Sequence, residues 1–393
     1  MEQNMTALML DDILKEQYLP AFRNQITTEP SPFFAQIKKE ALTGEIIKAG
    51  APMGLLGGYG AGKEGGPTPT AGRQKYQGFM SYAKDLYLEL IISNKTLKLA
   101  TSKGAILDAV HQEMVAAFNT ASWHMGRQTY GDGTAKLANI VSVSGKTAIV
   151  DDTRNLIEGI AIDFYNEGAT PDNDPVATAR RIETIDRQTK TITFDGEALN
   201  DALNGGFITV QNSYGLEMDG LGTIFNEKID KVYGIDKKER PNVNPVVVPC
   251  NNDITNQLLR EGMRTSKNYK NGDVNMLLCS PTAFDAYCTN QEVSNVRIEG
   301  QIGDLAGGYK SIKYFFGNKE VDIVEDKFIP NGEIWGVNTN DFLLKWTDWE
   351  YVTKDGGAFN LMEGKSAFRA LLSCYGNLVC ENPGACVRYT GIA

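Results

Sequence analysis

Gly44-Glu45-Ile46-Ile47-Lys48-Ala49-Gly50-Ala51-Pro52-Met53-Gly54-Leu55-Leu56 climbs into Gly57-Gly58-Tyr59-Gly60-Ala61-Gly62-Lys63-Glu64-Gly65-Gly66-Pro67-Thr68-Pro69-Thr70, and the chain returns through Tyr76 to Ile92. On the return limb Tyr76, Gly78, Met80 and Tyr82 alternate with Lys75, Gln77, Phe79 and Ser81, which is the period of a strand. Beyond the capping pair Thr101-Ser102 the period lengthens. Ile106, Val110, Met114, Phe118, Ala121 and Met125 recur every three or four residues, predicting one amphipathic helix from Lys103 to Met125, roughly 35 Å long. Gly126 and Gly131 offer it places to stop.

A glycine-rich hairpin of this length has little to bury against its own domain. Glycine loses more freedom on ordering than other residues, and a lone two-stranded ribbon is marginal in water. Yet its flanks carry Leu55, Leu56, Tyr59, Met80, Tyr82, Leu86 and Leu88, too apolar for a free linker. The expectation is an arm sheltered by another copy of the chain.

The bulk numbers narrow the function. At 393 residues the chain holds two or three compact units, and 42% apolar with 22% charged residues is ordinary for a globular protein. A net charge of -10 and no basic run exclude tight nucleic-acid binding as the main task. Two histidines, His111 and His124, leave few ways to build a metal or acid–base site. The six cysteines (Cys250, Cys279, Cys288, Cys374, Cys380, Cys386) form no CxxC pair and are expected to be reduced core thiols. Met1 to Asp12 shows no basic region followed by an apolar core, so no signal peptide is expected, and no run is long enough for a membrane helix.

Outside the arm and helix, residues 1–43 predict an N-terminal arm of short helical pieces. One carries Leu8, Leu10, Ile13, Leu14 and Tyr18 before Pro20; another runs from Phe33 to Leu42, with Pro32 in its first turn. Residues 140–226 have the texture of strand and turn, with Asp186-Arg187-Gln188-Thr189 as a hairpin tip, and predict a small inserted β domain. From Pro245 the pattern mixes. Val246-Val247-Val248 is a strand, Asn252 or Asp253 caps a helix, Val274 to Cys279 is a buried strand and Ser280-Pro281 opens a second helix. Gly317-Asn318 and Pro330-Asn331-Gly332 mark turns between later strands. The fold class is α+β.

Candidate chemistry is thin. Gly57 to Lys63 fits GxxxxGK, but Glu64 stands where a P-loop needs a serine or threonine, and Gly65-Gly66-Pro67-Thr68-Pro69 cannot open the required helix. Asp151-Asp152, Asp172-Asn173-Asp174 and Glu325-Asp326 lack the spacing of a calcium loop and read as solvated turns. No GxSxG elbow occurs. No catalytic residue, cofactor or metal is expected.

This order of parts resembles the major capsid proteins of tailed bacteriophages, the Hong-Kong-ninety-seven-type fold. The match lies in the glycine-rich tip and return strand Lys75-Tyr76-Gln77-Gly78-Phe79, the helix from Thr101 to Gln128 with its exit Thr129-Tyr130-Gly131-Asp132-Gly133-Thr134, and Ser280-Pro281-Thr282-Ala283-Phe284 opening a later helix. The resemblance implies an N-terminal arm (1–43), an extended loop (44–98), a spine helix and start of the peripheral domain (99–139), an inserted β domain (140–226), an axial domain (227–365) and C-terminal return strands (366–393). It further implies hexamers and pentamers of an icosahedral shell around double-stranded DNA, contacted non-specifically, with a separate scaffolding protein, a portal and decoration proteins as partners. The place of such a protein is the virion, after assembly in the host cytoplasm. Inter-subunit contact is expected at Leu55, Leu56, Tyr59, Lys63, Met80 and Tyr82; Lys63 stands where some relatives cross-link, although no partner residue is assigned. Two alternatives stand beside it: an encapsulin-like compartment, whose members usually lack such an insert, and a nucleotide-binding enzyme using Gly57 to Lys63.

Overall fold

The computed structural model describes residues 18–28, 30–53, 58–70, 72, 75–93, 103–293, 302–353, 359–362 and 364–393. The chain begins with α1 (Leu19–Thr28) and α2 (Pro32–Gln36), the latter capped by Ser31, whose hydroxyl accepts from the Phe34 amide at 3.1 Å. Pro20 lies inside the first turn of α1, where no donor is lost, so it starts this helix rather than ending one; the piece carrying Leu8 to Leu14 lies outside the described residues. The second piece is shorter than its spacing predicts. After Ile37 the chain turns extended as β1 (Lys38–Ala41), because it pairs in parallel with a strand three hundred residues on. Phe22, Ile26, Phe33 and Phe34 are buried, which pins this arm to the body of its own chain.

Next come β2 (Ile46–Met53) and β3 (Lys75–Tyr82), an antiparallel ribbon paired only with each other, then β4 (Lys84–Ser93) and the long helix α3 (Lys103–Tyr130). At 28 residues α3 spans about 42 Å. Met114, Phe118, Ala121 and Met125 are buried along one stripe, as the spacing predicts. The helix runs through Gly126. A Cβ there would stand 2.5 Å from the Pro30 carbonyl and 2.9 Å from the Phe328 ring, so this glycine admits close packing and the stop falls at Gly131.

Residues 136–210 form a closed six-stranded barrel of β5 (Lys136–Ser144), β6 (Thr147–Val150), β7 (Ala161–Tyr165), β8 (Ala177–Asp186), β9 (Thr191–Phe194) and β10 (Phe207–Val210). It encloses its own core, including Ile140, Ile162, Phe164, Ile192, Phe194 and Ile208. The predicted tip is a turn: the Asp186 carboxylate accepts from the Gln188 and Thr189 amides and the Thr189 hydroxyl, which holds its pKa below the usual range. The barrel stops short of residue 226. Helix α4 (Leu221–Phe225) is buried throughout in the main core, with Met218 beside it, followed by the small ribbon β11 (Lys231–Val232) and β12 (Ile235–Asp236).

The remaining elements are β13 (Val246–Asn252), α5 (Asn256–Lys270), β14 (Met276–Cys279), α6 (Pro281–Val293), β15 (Ile302–Asp304), β16 (Lys310–Phe316), β17 (Lys319–Glu325), β18 (Ile334–Val337), β19 (Phe342–Trp346), β20 (Glu350–Tyr351), β21 (Phe359–Leu361), β22 (Ala367–Cys380) and β23 (Val387–Ile392). Thr255, not Asn252 or Asp253, caps α5, its side chain accepting from the Leu258 amide. Asn251 and Asn252 are spent on positive φ in the preceding turn.

Two sheets organise these strands. A seven-stranded sheet runs β13-β23-β18-β14-β17-β16-β15, and its core includes residues of α5 and α6. A six-stranded sheet is built on β22, which pairs with β19, β20, β21 and β4, while β1 pairs with β19. β19, β20 and β21 therefore join the sheet of β4 and the N-terminal arm rather than the helix-covered sheet, and β23 returns to that helix-covered sheet, between its edge strand β13 and β18. Local pattern cannot choose between two sheets. Long-range pairing does.

Candidate assembly surface on the hairpin arm

The strand period of β2 and β3 sorts their side chains onto two faces. Inward, Ile47, Phe79 and Ser81 are buried, and Phe79 meets Tyr233 edge-on with ring centroids 6.0 Å apart. The Met80 amide donates to the Tyr233 carbonyl at 3.4 Å, so the small β11–β12 ribbon supports the arm's root. Outward, Ile46 lies opposite Tyr82 and Lys48 opposite Met80. These apolar side chains stay 41% (Ile46), 57% (Met80) and 57% (Tyr82) exposed, side by side on one ribbon face. Phe79 and Met80 are neighbours in sequence with opposite fates.

Among the predicted contact residues, Met80 and Tyr82 share this face. Tyr59 is fully exposed in the crossover, some distance along the chain from them, and Lys63 is exposed in a turn closed by the Gly66 amide donating to the Lys63 carbonyl at 2.9 Å. Leu55 and Leu56 lie outside the described residues. Leu86 and Leu88 leave the arm altogether. The return limb breaks at Ala83, and β4 pairs with β22 over ten residues from Lys84–Gly376 to Ser93–Ala367, which buries Leu86 and Leu90 in the body. Within the expected 44–98 loop, β2 and β3 pair with each other, whereas β4 belongs to the body.

Sequence reading missed Ile46, whose signal was its place opposite Tyr82 in the register. It also missed the outer face of the six-stranded sheet, where Tyr87, Ile91 and Tyr375 are exposed beside the Glu89–Arg369 ion pair at 2.8 Å.

Among the described residues the crossover shows no phosphate cradle. Residues 58–70 are exposed turn and extended chain with no helix following Lys63, and Gly57 lies outside the described residues. None of the six cysteines is in a disulfide and five are buried; burial pushes Cys250 up to about 11 and Cys374 up to about 12, far from reactive thiolates. His124 packs against Trp123 and is pushed down to about 3 by burial and by Arg127. Among the described residues no helix is long and apolar enough to cross a membrane.

No family model and no curated protein matches the chain. Among solved structures, the capsid asymmetric unit of cyanophage A-1(L) superposes with a TM-score of 0.53 over 92% of each chain, at 12% identity. The SrpI encapsulin complex of Synechococcus elongatus PCC 7942 aligns over 93% of this chain and 89% of its own, at 9% identity and a TM-score of 0.48. The satellite phage P4 procapsid aligns over 95% and 98%, at 12% identity and 0.44. The chain has the α+β fold of the tailed-phage major capsid proteins that its order of segments resembles.

Proposed function

We propose that this chain is the major subunit of an icosahedral phage head, forming hexamers and pentamers that enclose double-stranded DNA. The observation that carries the proposal is the arm. A two-stranded ribbon leaves the body, presents Ile46, Met80 and Tyr82 to solvent on one face and ends in an exposed glycine-rich crossover. Apolar surface left in water on this self-paired ribbon is stabilised when a neighbour covers it, and on the tailed-phage capsid fold that neighbour would be another copy. Lys63, at the crossover, would also face a neighbouring subunit. The acidic balance of the chain suits a container whose wall must not grip DNA. A separate scaffolding protein, a portal and decoration proteins complete the reading, with the virion as its location.

The chain expressed alone should yield shells, tubes or capsomers in negatively stained electron micrographs. A monodisperse single subunit at high concentration would refute the proposal. DNA-free particles carrying a host enzyme would instead assign the chain to a cargo compartment.

A further inference from the structure

The root of the arm ends on a buried polar junction. Asn377, fully buried in β22, faces two remote segments, the end of β3 and the stretch around Asp219. Its Nδ2 lies 2.8 Å from Ser81 Oγ, 2.9 Å from the Tyr82 carbonyl and 2.8 Å from Asp219 Oδ2. Its Oδ1 accepts from the Asp219 amide at 2.8 Å and the Leu378 amide at 2.9 Å. Ser81 Oγ also donates to Asp219 Oδ2 at 3.3 Å. An amide has two N–H groups and two acceptor lone pairs, so every bonding position of Asn377 is in use. A satisfied network of this kind specifies one arrangement, because any other strands polar groups away from water.

Asp219 belongs to the segment that leaves the barrel, and residues 215–220 touch β4, the spine helix and β22. The Gly215 carbonyl accepts from Lys84 Nζ at 3.1 Å, at the first residue of β4. Glu217 and Arg127, both buried, form an ion pair that ties the segment to the spine helix. Gly220 sits so close to the end of that helix that a Cβ would stand 2.3 Å from the Gln128 carbonyl. Beyond this junction the ribbon is inwardly anchored by Ile47 and Phe79, and its strand pairing is internal apart from the Met80 amide's bond to the Tyr233 carbonyl.

We propose that residues 215–220 together with Asn377 form a latch that fixes the angle at which the arm leaves the body and holds arm, spine helix and barrel exit in one geometry. Ala83, the single residue between β3 and β4, is the point about which the arm turns when the latch is loosened. The inference rests on the arm's proposed role only for its consequence in assembly. The latch itself is read without a shell.

Amide hydrogen exchange of the full-length chain, compared between variants in the same assembly state, tests it at Met80 and Ala83, whose amides donate to the Tyr233 and Glu45 carbonyls. Asn377→Asp keeps the shape but replaces the donating amide with a second carboxyl beside Asp219, and should speed exchange at both amides about tenfold. Glu217→Gln touches no arm residue, yet should speed the same amides severalfold, which a purely local role of Asn377 would not do. Amides of β14 should keep their rates in both variants. Arm amides at wild-type rates, or acceleration shared equally by β14, would overturn the latch. If Asn377→Asp does not fold, Ser81→Ala is read in the same way. Failure of the wild-type chain to form shells would count against the arm's role and leave this comparison standing.

Discussion

Replacing Ile46, Met80 and Tyr82 together by threonine separates folding from association. Threonine suits a strand, and all three side chains already stand in water on the outer ribbon face. Fully burying a large apolar side chain contributes about 1.5–3 kcal/mol, and roughly half of that remains to be gained at each position, so the triple variant should lose about 3 kcal/mol per arm contact. That corresponds to about a hundredfold weaker association for each contact. The cost to folding should stay below about 1 kcal/mol, as for surface changes generally. Phe79→Ala is the counter-experiment: Phe79 is 2% exposed, so truncation should cost about 3–5 kcal/mol in folding. Urea titration of unassembled chains gives the folding term, and sedimentation across a concentration series gives the assembly threshold. A triple variant that assembles at the wild-type concentration would refute the reasoning, as would one that unfolds as readily as Phe79→Ala.

Burial pushes the Asp326 carboxyl up to about 6, against the opposing hydrogen bond from the Phe328 amide at 2.9 Å. Its folded pKa lies above the unfolded value, so the neutral carboxyl's contribution is fully present below about pH 4 and is lost as pH rises through 6. Asp326→Asn should therefore match wild type near pH 4 and gain about 3 kcal/mol near neutrality; parallel stability curves across that window would contradict this. Gly262→Ala, normally worth about 1 kcal/mol in a helix interior, should here be destabilising. The added Cβ would stand 2.5 Å from Tyr389 Oη and 2.8 Å from Val387 Cγ1, an overpacking cost of about 1–3 kcal/mol measurable by thermal melting; a raised melting temperature would refute it. Deleting residues 54–72 should leave the circular dichroism spectrum and melting transition near wild type while abolishing shells in electron micrographs, and normal shell yield would remove the crossover from the assembly contacts.

Much of the fold is legible because its signals are local. The spine helix shows in the spacing from Met114 to Met125, the turn at Asp186 in its own side-chain chemistry, and α6 in Ser280-Pro281. What is hidden depends on distant partners. Tyr76 to Ile92 alternates without a visible break, and distant β22 marks where arm becomes body, through its pairing with β4 and through Asn377, 296 positions beyond Ser81. The strands of residues 136–210 are visible one by one, but closure needs the β10–β7 pairing, whose register no single strand encodes. Gly126 has the look of a helix stop until Pro30 and Phe328 are packed against it. The candidate surface was half legible. Met80 and Tyr82 announce themselves by alternation, whereas Ile46 joins them only through its register with Tyr82.

A photo-crosslinking residue at position 80 in the assembled particle, with the adducts mapped by mass spectrometry, asks directly what covers the outer face of the ribbon. Crosslinks from Met80 to a second copy of the chain are the predicted result. Adducts confined to the same chain would mean that the arm folds onto its own body, and the shell reading would fall with it.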